Sequence, residues 1–65
     1  MDKTAINPNH YTQGNIEVID FIEDQQMDYK EGNIIKYVSR YKFKNGLEDL
    51  EKAKWYLQRL IDAYA

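Results

Sequence analysis

The sequence predicts an all-α fold: helix 1 packed on an antiparallel hairpin of helices 2 and 3, behind an N-terminal arm. Three observations carry this. Apolar residues recur three and four apart in three separate stretches. Turn-forming residues stand between them, at Gly14, around Gln25–Asp28 and at Asn45-Gly46. No stretch shows a strand pattern. With 65 residues the chain is one domain, 1–65, whose first 14 residues form the arm.

The arm holds Asn7-Pro8-Asn9, and Pro8 biases Asn7 away from helix. His10 and Tyr11 follow directly. The pair reads two ways: a loop anchored by one aromatic, or an imidazole and a phenol folded over a pocket.

Helix 1 is expected over Asn15–Gln26. Ile16, Val18, Ile19, Phe21 and Ile22 give it a broad apolar face. Glu17 and Asp20, three apart, can hold Mg²⁺ or do acid–base work, or form a solvated face near the helix N-terminus. Asp28 is placed to cap helix 2, with Glu31 in the capping-box position. Gly32, in the first turn, permits close approach of a backbone or ligand, or is a tolerated surface glycine.

The stretch Glu31–Lys44, read as one helix, divides into two faces. Ile34, Val38 and Tyr41 cluster on one side. Asn33, Lys36, Tyr37, Arg40 and Lys44 form a second stripe of an amide, three cations and a phenol. This set suits an anionic, flat-ringed ligand such as a nucleotide; the alternative is a solvated face. Arg40 can grip a phosphate, or pair with Glu17 or Asp20 and hold helices together.

Asn45-Gly46 is expected to end helix 2, with Asn45 also capping helix 3 ahead of Glu48. Helix 3 runs from about Leu47 to Ala63. Leu47, Leu50, Leu57, Ile61 and Tyr64, with Ala53 and Leu60, make its apolar stripe. Trp55 and Tyr56 beside it read as packing or interface residues. The short connection makes helices 2 and 3 antiparallel neighbours.

Charge narrows the function. The net charge is −2, against binding of long nucleic acid. Residues 1–29 carry one lysine against six acids, and residues 30–44 carry five bases against one acid. A local cationic site in an acidic chain fits a small anion. There is no cysteine and one histidine, so neither a disulfide nor a Cys- or His-based metal site is expected. No apolar run approaches the roughly 18 residues of a membrane span, and no signal-peptide pattern appears. We expect a soluble cytoplasmic protein with no membrane partner. A chain this small, unstapled and carrying nine aromatics, is expected to self-associate as a homo-oligomer.

Chemistry-bearing motifs are sparse. There is no GxxxxGK[ST] loop and no GxGxxG turn. Ser39 lies mid-helix, away from the single His10. Glu48, Asp49 and Glu51 loosely resemble the acidic clusters of all-helical nucleotide pyrophosphohydrolases, while Glu48 and Asp49 equally well favour the start of helix 3. No motif establishes an enzyme, and no cofactor, catalytic residue or metal is expected; a nucleotide kinase or phosphohydrolase stays open.

The run His10-Tyr11-x-x-Gly14-x-Ile16-Glu17-x-Ile19-Asp20 is followed by Glu31-Gly32-Asn33-x-Ile35-Lys36-Tyr37-x-x-Arg40. Lys44-Asn45-Gly46-x-x-Asp49-Leu50-x-Lys52-Ala53-x-Trp55-Tyr56-Leu57 completes it. The combined pattern resembles a family of small tailed-phage proteins, catalogued as a domain of unknown function and often labelled "nucleotide kinase". The resemblance implies nucleotide recognition by His10, Tyr11, Asn33, Lys36, Tyr37, Arg40 and Lys44. A phage protein that binds without chemistry would sequester a nucleotide-derived signal of bacterial defence, such as a cyclic dinucleotide or an ADP-ribose derivative. The alternatives are a nucleotide kinase or phosphohydrolase, and a phage regulator that binds a host protein.

Overall fold

Seven residues, Val18–Asp24, form the first helix of the described chain, α1. The computed structural model describes residues 14–65. Two more helices follow, α2 at Tyr29–Arg40 and α3 at Leu47–Tyr64, with a 3₁₀ turn at Tyr41–Phe43 between them. The described residues hold no strand. The expected His10 and Tyr11 site residues lie outside the described residues.

α1 is shorter than the expected Asn15–Gln26. It starts after Glu17, whose backbone is extended (φ −68°, ψ 142°). At its other end the Gln26 N–H donates to the Glu23 carbonyl (3.0 Å) and the Met27 N–H to that of Ile22 (3.1 Å). These two bonds are the Schellman motif, which stops a helix by satisfying its last carbonyls. The motif needs a left-handed residue, and Gln26 takes that place with φ 56°. A side chain there costs about 1 kcal/mol that glycine avoids. Gln26→Gly is therefore expected to raise the melting temperature by roughly 4–8 °C, measured by circular dichroism; no rise would show the turn to be unstrained.

α2 begins as the sequence indicates. The Glu31 N–H donates to the Asp28 carboxylate and the Asp28 N–H donates to that of Glu31, both at 2.9 Å. Its end differs from expectation. The α-helix stops at Arg40, so Lys44 lies beyond it and off the helical stripe. The Gly46 N–H turns back to the Tyr41 carbonyl at 2.9 Å. Gly46 adopts φ 55°, which only glycine accepts without strain.

Asn45 does not cap α3. Gly46 occupies the N-cap position, and the Asn45 side chain instead donates to Asp49 (3.4 Å). The contacts joining α2 to α3 run in opposed order. Arg40 meets Asp49, Tyr37 meets Lys52 and Tyr56, and Tyr29 meets Tyr56. α1 meets α2 at Gly32, where a Cβ would stand 3.2 Å from Cγ2 of Ile22. Gly32 thus serves close helix approach.

Burial is sparse. Among the described residues only Ala53 and Asp49 are buried. Val38, on the side it shares with Ile34 and Tyr41, is 47% exposed. The face of α2 that meets α3 is the other stripe, the one carrying Tyr37 and Arg40.

Candidate functional site

Asp49 anchors the junction of α2 and α3. Its carboxylate is fully buried and collects four donors. Arg40 Nε and Nη2 reach its two oxygens at 3.3 Å each. The Asn45 backbone N–H donates at 3.1 Å and the Asn45 side-chain amide at 3.4 Å. Each bond is long for a charge-assisted contact, so the holding power lies in their convergence. Burial pushes the Asp49 carboxyl up, but the Arg40 and Asn45 hydrogen bonds and the Arg40 charge outweigh it and hold the group below its ordinary range. The sequence offers Asp49 as part of an acidic cluster or as a helix-start charge; its inward direction is set by the turn that brings Arg40 opposite.

Tyr37 sits one turn before Arg40. Its ring stacks on Tyr56, with centroids 6.3 Å apart and planes 18° from parallel. Three cations stand around it: Lys36 Nζ at 4.7 Å, the Arg40 guanidinium at 5.0 Å and Lys52 Nζ at 5.6 Å. Two are neutralised, Arg40 by Asp49 and Lys52 by Glu48 at 3.4 Å. Among the described residues, Lys36 has no carboxylate in ion-pair range. Tyr29 meets Tyr56 edge-on at 5.9 Å. The Tyr56 phenol is raised by its hydrogen bond with Tyr29, then by burial and by the neighbouring Tyr29 and Tyr37 hydroxyls.

Lys36 also borders an open groove between α1 and α2. The groove encloses about 540 Å³, within the range of small-molecule sites. Val18, Ile19, Ile22 and Met27 give it an apolar wall, Gly32 lies against it, and Asn33 and Lys36 stand at its edge. Asn33 donates its amide to the Tyr29 carbonyl at 2.8 Å, which fixes the side chain and leaves its oxygen as an acceptor. Asp28 also lines the groove, its carboxylate engaged in the capping box.

The structure thus separates the predicted stripe. Asn33 and Lys36 reach the groove; Tyr37 and Arg40 pack against α3; Lys44 lies past the helix. The apolar wall from α1 is the part that sequence reasoning missed. The acidic residues of α3 do not gather: Asp49 turns inward, and Glu48 pairs with Lys52 on the surface. No group of three His, Asp or Glu side chains able to hold a metal ion occurs among the described residues. Ser39 donates its hydroxyl to the Ile35 carbonyl at 2.6 Å, a local backbone contact. No described helix is long and apolar enough to cross a membrane.

A family model described as a protein of unknown function, DUF3310, matches residues 6–58. The chain belongs to the DUF3310 family. In this DUF3310 chain the matched span takes in α1, α2 and most of α3, and so both the groove and the Asp49 junction. No curated protein and no solved structure matches the chain.

Proposed function

We propose that this DUF3310 protein binds a nucleotide and sequesters it without chemistry. The observation that carries the reading is an apolar groove lined by Asn33 and Lys36, with Glu17 and Asp28 also on its border. An apolar wall accepts a base, an amide fixes its edge, and an ammonium meets a phosphate. Arg40 and Tyr37 act one layer back, holding α2 against α3 so that Lys36 keeps its place. His10 and Tyr11 of the arm complete the proposed ligand set, and Lys44, past the end of α2, falls outside it. The wider proposal places α1 on an antiparallel α2–α3 hairpin, in a homo-oligomer whose subunits share pockets. Its setting is a tailed phage that removes a cyclic dinucleotide or ADP-ribose signal of host defence in the host cytoplasm.

The test is incubation with ATP, Mg²⁺ and nucleoside monophosphates, and separately with a calorimetric panel of mononucleotides, cyclic dinucleotides and ADP-ribose. Saturable binding is expected, with intact ligand recovered after the protein is denatured. Turnover would establish the kinase or phosphohydrolase reading instead, and no binding to any member of the panel would defeat nucleotide recognition.

A further inference from the structure

α3 carries a second stripe that the α2 contact leaves uncovered. Leu47, Leu50, Lys54, Leu57, Ile61 and Tyr64 follow one another at steps of three, four, three, four and three. This is the a/d repeat of a coiled-coil seam. The residues that meet α2 (Asp49, Lys52, Tyr56) belong to a different face, about a quarter-turn or more away. The seam stands open: Leu47 is 70% exposed, Leu57 46% and Ile61 49%. Five of the six positions are apolar and the sixth, Lys54, has a long aliphatic stem; a contiguous exposed apolar patch of this kind marks an interaction surface.

We infer that this seam pairs with the same seam of a second copy, with the two α3 helices antiparallel. The register follows from the spacing. Turned about a two-fold axis midway between Trp55 and Tyr56, Leu47 lies level with the partner's Tyr64. Leu50 then lies level with the partner's Ile61, and Lys54 with the partner's Leu57. All six positions are thereby matched and the full length of α3 is used. Charge decides the direction. A parallel pair would set Lys54 against the partner's Lys54 inside the seam, two like charges face to face. The antiparallel pair gives each lysine stem a leucine to lie on while its ammonium extends to water. It also opposes the helix dipoles. α3 has 18 residues and so spans about 27 Å. Two such seams side by side bury on the order of 1,000 Å², about the least that a specific interface requires. This inference does not rest on nucleotide binding.

The test uses the whole chain, which has no cysteine of its own. Sedimentation equilibrium is expected to give twice the 7.8 kDa chain mass, or an even multiple of it. Ile61→Glu should reduce that mass at least twofold with an unchanged circular dichroism spectrum, since Ile61 packs little within the chain. The double variant Leu50→Cys/Ile61→Cys should give a covalent dimer with a short bismaleimide, and neither single variant should. Residues 50 and 61 of one chain are about 16 Å apart along the helix, too far for the reagent to bridge internally. Cross-linking of a single variant would show a parallel pair and overturn the register. A monomeric wild type, an unchanged mass for Ile61→Glu, or no cross-link in the double variant would overturn the interface.

Discussion

Asp49→Ala is expected to lower the melting temperature by roughly 10 °C or more, the scale on which a broken buried ion pair shifts a small domain. The loss has two parts. The substitution removes four accepted hydrogen bonds, and it leaves the Arg40 guanidinium, whose side chain is only 20% exposed, beside a void. Asp49→Asn should fall between the two, because an amide oxygen still accepts some of the bonds but carries no charge. Arg40→Lys should not restore wild-type stability, since an ammonium cannot match two carboxylate oxygens side by side. Acid titration gives a second readout. The folded state holds the Asp49 carboxyl below its ordinary value of 3.8, so its contribution is complete above that value. It is lost as pH falls below 3.8 and through the folded value. Asp49→Asn should abolish this part of the acid transition and leave the neutral-pH plateau flat. A variant with wild-type melting temperature would mean that the junction contributes nothing to the fold.

Lys36→Glu is expected to reduce nucleotide affinity about ten- to a hundredfold, the value of one charge-assisted contact with added repulsion. Its melting temperature should stay close to that of wild type, because the side chain is exposed and its main contact is an exposed cation–ring pair, individually weak. Arg40→Ala supplies the contrast. It should lower the melting temperature, with affinity falling only as the folded fraction falls. Calorimetry and thermal melts on the same samples separate the two. Unaltered affinity in a stable Lys36→Glu protein would remove Lys36 from the site, and reduced affinity in a still-stable Arg40→Ala protein would return the phosphate to Arg40.

Much of the scaffold was legible in the residues. The Asp28–Glu31 capping box is a local pattern complete within four residues, and local patterns survive folding intact. Helix existence came from periodicity. The bounds expected for helix 3 agree with α3 to within a residue, but the end of α1 was not legible, because its Schellman turn is built on Gln26, where glycine or asparagine is the usual signal. The second stripe of α2 was visible as a stripe, but periodicity names faces and not their neighbours. Its polar and aromatic content suggested a ligand, whereas Tyr37 and Arg40 found their partners on α3. The partner of Asp49 was not legible. A carboxylate in the first turn of a helix is ordinarily explained by the dipole alone, and only the geometry of the 41–46 connection shows the arginine opposite. The groove was illegible for the same reason: its wall comes from one helix and its edge from another.

The Asp49 junction also bears on the order in which the chain folds. Arg40 and Asp49 are nine residues apart in sequence. Closing a loop of that length takes on the order of 10–100 ns and little chain entropy. Among the described residues few apolar side chains are buried, so this short-range ionic contact is our candidate for the first to orient two helices. We expect the junction to be largely formed in the folding transition state. Asp49→Asn would then slow folding far more than it speeds unfolding, as denaturant-jump kinetics would record; a change confined to the unfolding rate would place it late. The chain would begin its fold from a polar contact and let the oily surfaces settle afterwards.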